Sequence, residues 1–109
     1  MAYEEALADD VRARLAERSG ITEREMFGGI AFMLHGNMAV GVAGSELMVR
    51  VGKEDHDEAM ALPGTREFDM TGRAMKGWIL VGPEGYATDA DFQAWVDRGV
   101  AFAASLPAK

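Results

Sequence analysis

A chain of 109 residues with 49% apolar and 27% charged residues has room for one core and the composition of a folded protein, which argues against disorder. Its formal net charge of -7 repels a phosphate backbone and disfavours nucleic-acid binding by bulk charge. The absence of cysteine excludes disulfides, thiolate metal sites and cysteine nucleophiles, and fits a cytoplasmic location. The acidic start MAYEEALADD has neither the basic nor the apolar segment of a secretory signal. No run reaches the roughly 18 apolar residues of a membrane span. The whole chain, 1–109, reads as one domain.

Residues 3–19 carry Tyr3, Leu7, Val11 and Leu15 at every fourth position, which predicts a helix with one apolar stripe, ended by Gly20. Residues 25–51 predict a three-stranded meander. Ile30, Phe32 and Leu34 share one face with Met38, Val40 and Val42 and with Leu47, Val49 and Val51. A three-residue loop at 35–37, pairing Leu34 with Met38, puts all these residues on one side; a two-residue loop at Gly36-Asn37 would split them. The other side carries Ala31, Met33, Ala39, Gly41, Met48 and Arg50, small and mixed, and reads as open to solvent or a partner.

Residues 53–62 predict a short polar helix that Pro63-Gly64 stops. Residues 65–70 predict an edge strand with Phe68 and Met70 in phase, and 75–81 a better one, broken at 82–85. The last helix runs from Asp89 to Ser105. Thr88 is its N-cap, and Phe92, Trp95, Val96, Gly99, Phe102 and Ala103 form its apolar face. Gly99 implies close approach of that helix to the sheet. The expected fold is α+β: an antiparallel sheet, in the order α-β-β-β-α-β-β-α, roofed on its greasy face by the terminal helices.

Met26-Phe27-Gly28-Gly29, then Gly36-Asn37-Met38, then Leu47-Met48-Val49-Arg50-Val51 carry a resemblance to the TfoX N-terminal domain family, with support from Met75 to Trp78, Pro83 and the alanine-rich last helix. The resemblance spans nearly the whole chain. It implies a fold similar to the secretion-chaperone type and a link to the regulation of competence genes in bacteria, alongside a DNA-bound activator; the lack of a catalytic constellation in the residues adds the expectation that the chain is not an enzyme. Longer members continue into a helical second domain that is not part of these 109 residues, and Ala39 stands where members often have an aromatic.

Gly28-Gly29 reads as a bulge or kink, with open backbone for a partner as the functional alternative. It lacks the Lys-Ser/Thr ending of a phosphate loop. His35 and His56 have no metal-ligand spacing, and His56, among Asp55, Asp57 and Glu58, reads as part of a solvated helix face. Ser19, Ser45 and Ser105 sit in no nucleophile elbow. No residue set calls for a cofactor. Arg50, Arg66, Arg73 and Lys76 form one basic patch if their strands share an edge. With Gly28, Gly29 and Ala39 they make up the candidate contact residues of a protein-interaction module, with a homodimer through the small-residue face as one form of it. An acidic chain with few exposed aromatics disfavours direct nucleic-acid binding. An apolar pocket beside Trp78 and Trp95 is the small-molecule alternative.

Overall fold

Two pairs of residues with positive φ, Phe27 (56°) with Gly28 (75°) and His35 (51°) with Gly36 (85°), set the geometry of the first half of the chain. A two-residue hairpin loop with both residues left-handed matches the natural twist of its strands, so each pair closes a tight hairpin. The computed structural model describes residues 3–69 and 72–108. Helix α1 (Glu5–Arg14) leads into strands β1 (Ile21–Met26), β2 (Gly29–Leu34), β3 (Asn37–Ala43) and β4 (Glu46–Arg50). Then come helix α2 (His56–Met60), β5 (Thr65–Glu67), β6 (Trp78–Val81), a 3-10 turn over Pro83–Tyr86 and helix α3 (Asp89–Ala104). The six strands form one antiparallel sheet in the order β1-β2-β3-β4-β6-β5. The α+β class stands, and β5 is the expected edge strand; Met70, expected in phase with Phe68, lies outside the described residues.

The meander has one strand more than expected. β1 is written ITEREM, and residues 22–25 are all exposed, so it has no apolar alternation to announce it. It is the edge next to β2, and charge on an edge blocks pairing with other chains.

The register also differs from both loops considered. Leu34 pairs with Asn37, not with Met38, around the two-residue turn His35-Gly36. A bulge at Ala39 then restores Phe32 opposite Val40 and Ile30 opposite Val42. Ala39 and Val40 therefore both face the helices, and Met38 goes to the other side. The extra residue is what keeps Val40 and Val42 in the core after a turn one residue shorter than expected.

The helix-covered face holds Ile30, Phe32, Leu34, Val40, Val42, Leu47, Val49 and Val51, packed by Leu7, Val11 and Leu15 of the α1 region and by Phe92, Trp95, Val96, Val100 and Ala103 of α3. Thr88 caps α3, its Oγ1 accepting from the Asp91 N–H at 3.1 Å. At Gly99 a Cβ would fall 2.2 Å from the Ala39 carbonyl oxygen, so the helix rests directly on the bulge.

The opposite face is closed, which corrects the expectation of an open one. Ala31, Met33, Met38, Ala43, Met48 and Leu80 are buried there with Phe68. The sheet curls until Phe27, at the β1–β2 turn, meets Phe68, just past β5, with ring centroids 5.1 Å apart. Trp78 completes the cluster at 6.0 Å from Phe27 and 5.5 Å from Phe68. Adjacent strands rotate by roughly 20–25°, and a bulge adds to it, so six strands can bring the two margins of a sheet together. Among the described residues no helix is long and apolar enough to cross a membrane.

Candidate functional site

The site grows from one cross-strand pair. In the β4–β6 ladder Arg50 stands opposite Trp78, and the Arg50 guanidinium lies over the indole at 5.0 Å. It also lies over the ring of Phe102, from the last turns of α3, at 5.2 Å. Phe102 reaches this position because Gly52 has no side chain: a Cβ there would fall 2.5 Å from Phe102 Cε1, and its φ of +88° favours glycine. Around these three residues is a groove of about 440 Å3, lined also by Lys53, Glu54, Asp55, Lys76, Gly77 and Ser105.

The floor is held from below by His56. It is buried, not solvated as its acidic neighbours suggested. Its Nδ1 accepts from the Gly77 N–H at 2.9 Å, and Nε2 lies 3.3 Å from Glu67 Oε1. The Gly77 carbonyl in turn accepts from Val51 N–H at 2.8 Å and Gly52 N–H at 3.1 Å. One imidazole thus ties α2, β5, the approach to β6 and the end of β4 together.

The electrostatics of the groove stand out against the rest of the molecule. Arg12, Arg14, Arg50 and Arg98 each lie over an aromatic ring. Arg12 donates to Asp9 and Glu23, Arg14 to Asp10 and Asp89, and Arg98 to Glu58. Arg50 alone of the four has no acceptor among the described residues. Its half-buried guanidinium is held below the usual arginine pKa by desolvation. Arg14 is raised above that value: burial lowers it, but hydrogen bonds and charge from Asp89 and Asp10 more than offset this. Lys53 and Lys76 also make no ion pair among the described residues. The groove therefore collects three cations that make no ion pair among the described residues, alongside two lining carboxylates, Glu54 and Asp55, on an acidic chain.

The other candidate residues are placed elsewhere. Arg66 is exposed and donates to both oxygens of Glu46, at 2.7 Å each, and to Asp69 at 3.3 Å, so it belongs to a surface ion pair and does not line the groove. Arg73 is exposed in the β5–β6 connection and is not among the lining residues. The expected four-residue basic patch is thus divided, with Arg50 and Lys76 in the groove. Ala39 is fully buried under α3, which removes it from any contact face. Gly28 is exposed in its turn, whereas Gly29 is buried, a Cβ there falling 2.0 Å from the Val42 carbonyl oxygen. These two glycines, with Tyr3, Glu25, Met26, Phe27 and Ile30, line a second hollow of about 560 Å3. Trp78 lines the groove, whereas the indole of Trp95 is in the helix-side core, donating to the Gly85 carbonyl at 3.1 Å.

Lys53, Trp78 and Phe102 are the residues that sequence reasoning did not join to Arg50. The signal for Trp78 lay in the β4–β6 pairing, and for Phe102 in the α3 stripe running one turn beyond Gly99.

Chemically, the groove can bind. Ser105 Oγ is engaged with the Phe102 carbonyl at 2.6 Å and both His56 nitrogens face partners of their own, which leaves Arg50, Lys53 and Lys76 as the donors of the groove, beside the carboxylates of Glu54 and Asp55. No curated protein and no solved structure matches the chain with significance. One family model does: the TfoX N-terminal domain, over residues 13–103, which takes in the whole sheet, α3 up to Ala103 and every residue of the groove except Ser105. The chain therefore belongs to the TfoX N-terminal domain family.

Proposed function

We propose that this chain is a non-enzymatic protein-interaction module in cytoplasmic gene regulation, and that the Arg50 groove receives an acidic segment of its partner protein. The observation that carries this is the contrast among the ring-stacked arginines: three have carboxylates on their N–H edges, and Arg50, which lines the groove, has none among the described residues. A desolvated cation without a partner is costly in an isolated domain and is relieved when a partner brings the anion. The net charge of -7 supports a local acidic segment over a nucleic acid. Screening confines the groove's attraction to about 8–10 Å, while a long polyanion meets the repulsion of the whole surface. Family membership supports the regulatory reading, and the competence-gene role that the resemblance implies is part of this proposal.

The test places a photo-crosslinking residue at Ser105, on the groove rim, in native lysate. A protein cross-linked by the wild-type groove and lost with Arg50→Glu is the expected result. The same capture by Arg50→Glu contradicts the proposal, as does steeply salt-dependent DNA binding by the wild type.

A further inference from the structure

We propose that the group recognised by the groove is a phosphate monoester. This rests on the groove being the contact surface argued above. A guanidinium stacked on rings keeps its N–H edge for an in-plane acceptor, and the fork fits two oxygens of a carboxylate or a phosphate. Arg14 shows the filled arrangement in the same molecule: it lies 4.1 Å over Phe92, while its edge donates to Asp10, Asp89 and Gln93. Arg50 has the same stacked setting, with no acceptor on its edge among the described residues.

The flanking lysines choose between the two oxyanions. A carboxylate brings a single negative charge, which the Arg50 guanidinium balances alone, and its two oxygens keep only their outer lone pairs for Lys53 and Lys76. A phosphate monoester carries a charge of about -1.5 to -2 and three acceptor oxygens, enough for the fork and for ammonium donors beside it. Glu54 and Asp55 set the opposite limit, leaving the lining with one net positive charge. That suits a single phosphate better than a polyphosphate or a nucleic-acid backbone. The size agrees, since 440 Å3 is within the roughly 300–1,000 Å3 of small-ligand sites and has room for a phosphate and the group that bears it. The rings of Trp78 and Phe102 give that group an apolar wall. Such a phosphate could come from a phosphorylated side chain or from a free small ester.

The test is calorimetric titration of the intact chain at fixed ionic strength. The probes are phenyl phosphate, adenosine monophosphate, a phosphoserine peptide and its unphosphorylated twin, with acetate as the carboxylate control. The result expected is saturable binding of the phosphate esters and none of acetate or the plain peptide. The tighter of the peptide and the nucleotide names the source. Arg50→Lys keeps the charge but loses the fork, and weakens binding by about tenfold or more. Exposed Lys53 and Lys76 replaced together by Gln weaken it without touching a packed ring, and Arg66→Lys leaves it unchanged. Acetate binding as well as phenyl phosphate, or undiminished binding by the double lysine variant, overturns the proposal. Loss of phosphate binding while cross-linked capture persists removes the phosphate alone. Phosphate binding without any capture removes the protein-partner reading and leaves the phosphate site.

Discussion

The two faces of the sheet solve the same problem by different means. One is aliphatic and is roofed by α1 and α3. The other is rich in methionine and alanine and is sealed by the sheet's own curl, with Phe27, Phe68 and Trp78 as the seam. A roof of helices can be rigid and far from any margin. A seam made where a sheet meets itself lies at the surface, and its outer ring is available for other work. Trp78 is that ring: it packs against Phe68 on the seam and under Arg50 in the groove. The groove forms where the two faces meet, with Phe102 from the roof and Trp78 from the seam.

The comparison can be broken most forcefully on the roofed face. Phe32→Ala removes a fully buried ring beneath the helices and should cost about 3–5 kcal/mol, read as a shift of the denaturation midpoint. A loss under about 1 kcal/mol would mean that the roofed face is not the main core.

A sharper cut falls on the seam. Phe27→Ala removes a half-buried ring with two edge-on aromatic contacts and should cost about 1–3 kcal/mol. The loss should be local. Amide exchange should quicken in β5, β6 and the Phe27 turn, while α3 keeps its protection. Equal loss of protection in α3 would show that the two faces are one cooperative unit. The smallest effect is expected at Met48→Leu on the seam side, under about 1.5 kcal/mol by thermal unfolding, because a volume-conserving swap suits a face packed with flexible side chains. A larger loss would show that the methionine face is as closely fitted as the aliphatic one.

Much of the roofed face was legible in the residues themselves. The alternation of Ile30, Phe32 and Leu34, of Val40 and Val42, and of Leu47, Val49 and Val51 marks a half-buried strand face, and Thr88 and Gly99 mark α3 and its contact. Met38 was misplaced because a bulge changes the parity of a strand, and single-strand alternation has no signal for the extra residue at Ala39. β1 stayed hidden because a charged edge strand looks like loop. The seam was invisible for a deeper reason: it depends on twist summed over six strands, a property of the assembled sheet.

The groove has the same character. Arg50 and Trp78 become neighbours only through the pairing of β4 with the non-consecutive β6, and Phe102 joins them from the far end of the chain. His56 shows how a polar neighbourhood misleads: Asp55, Asp57 and Glu58 point outward while the ring between them turns in to hold Gly77.

The central claim is that the Arg50 edge waits for an oxyanion. The most direct measurement is the side-chain Nε–Hε resonance of each arginine in 15N-labelled protein during titration with phenyl phosphate. The account predicts that the Arg50 signal shifts and its exchange with water slows, while those of Arg14 and Arg66, already paired with carboxylates, stay in place. An Arg50 signal that does not respond, or arginine signals that all drift together, would contradict it.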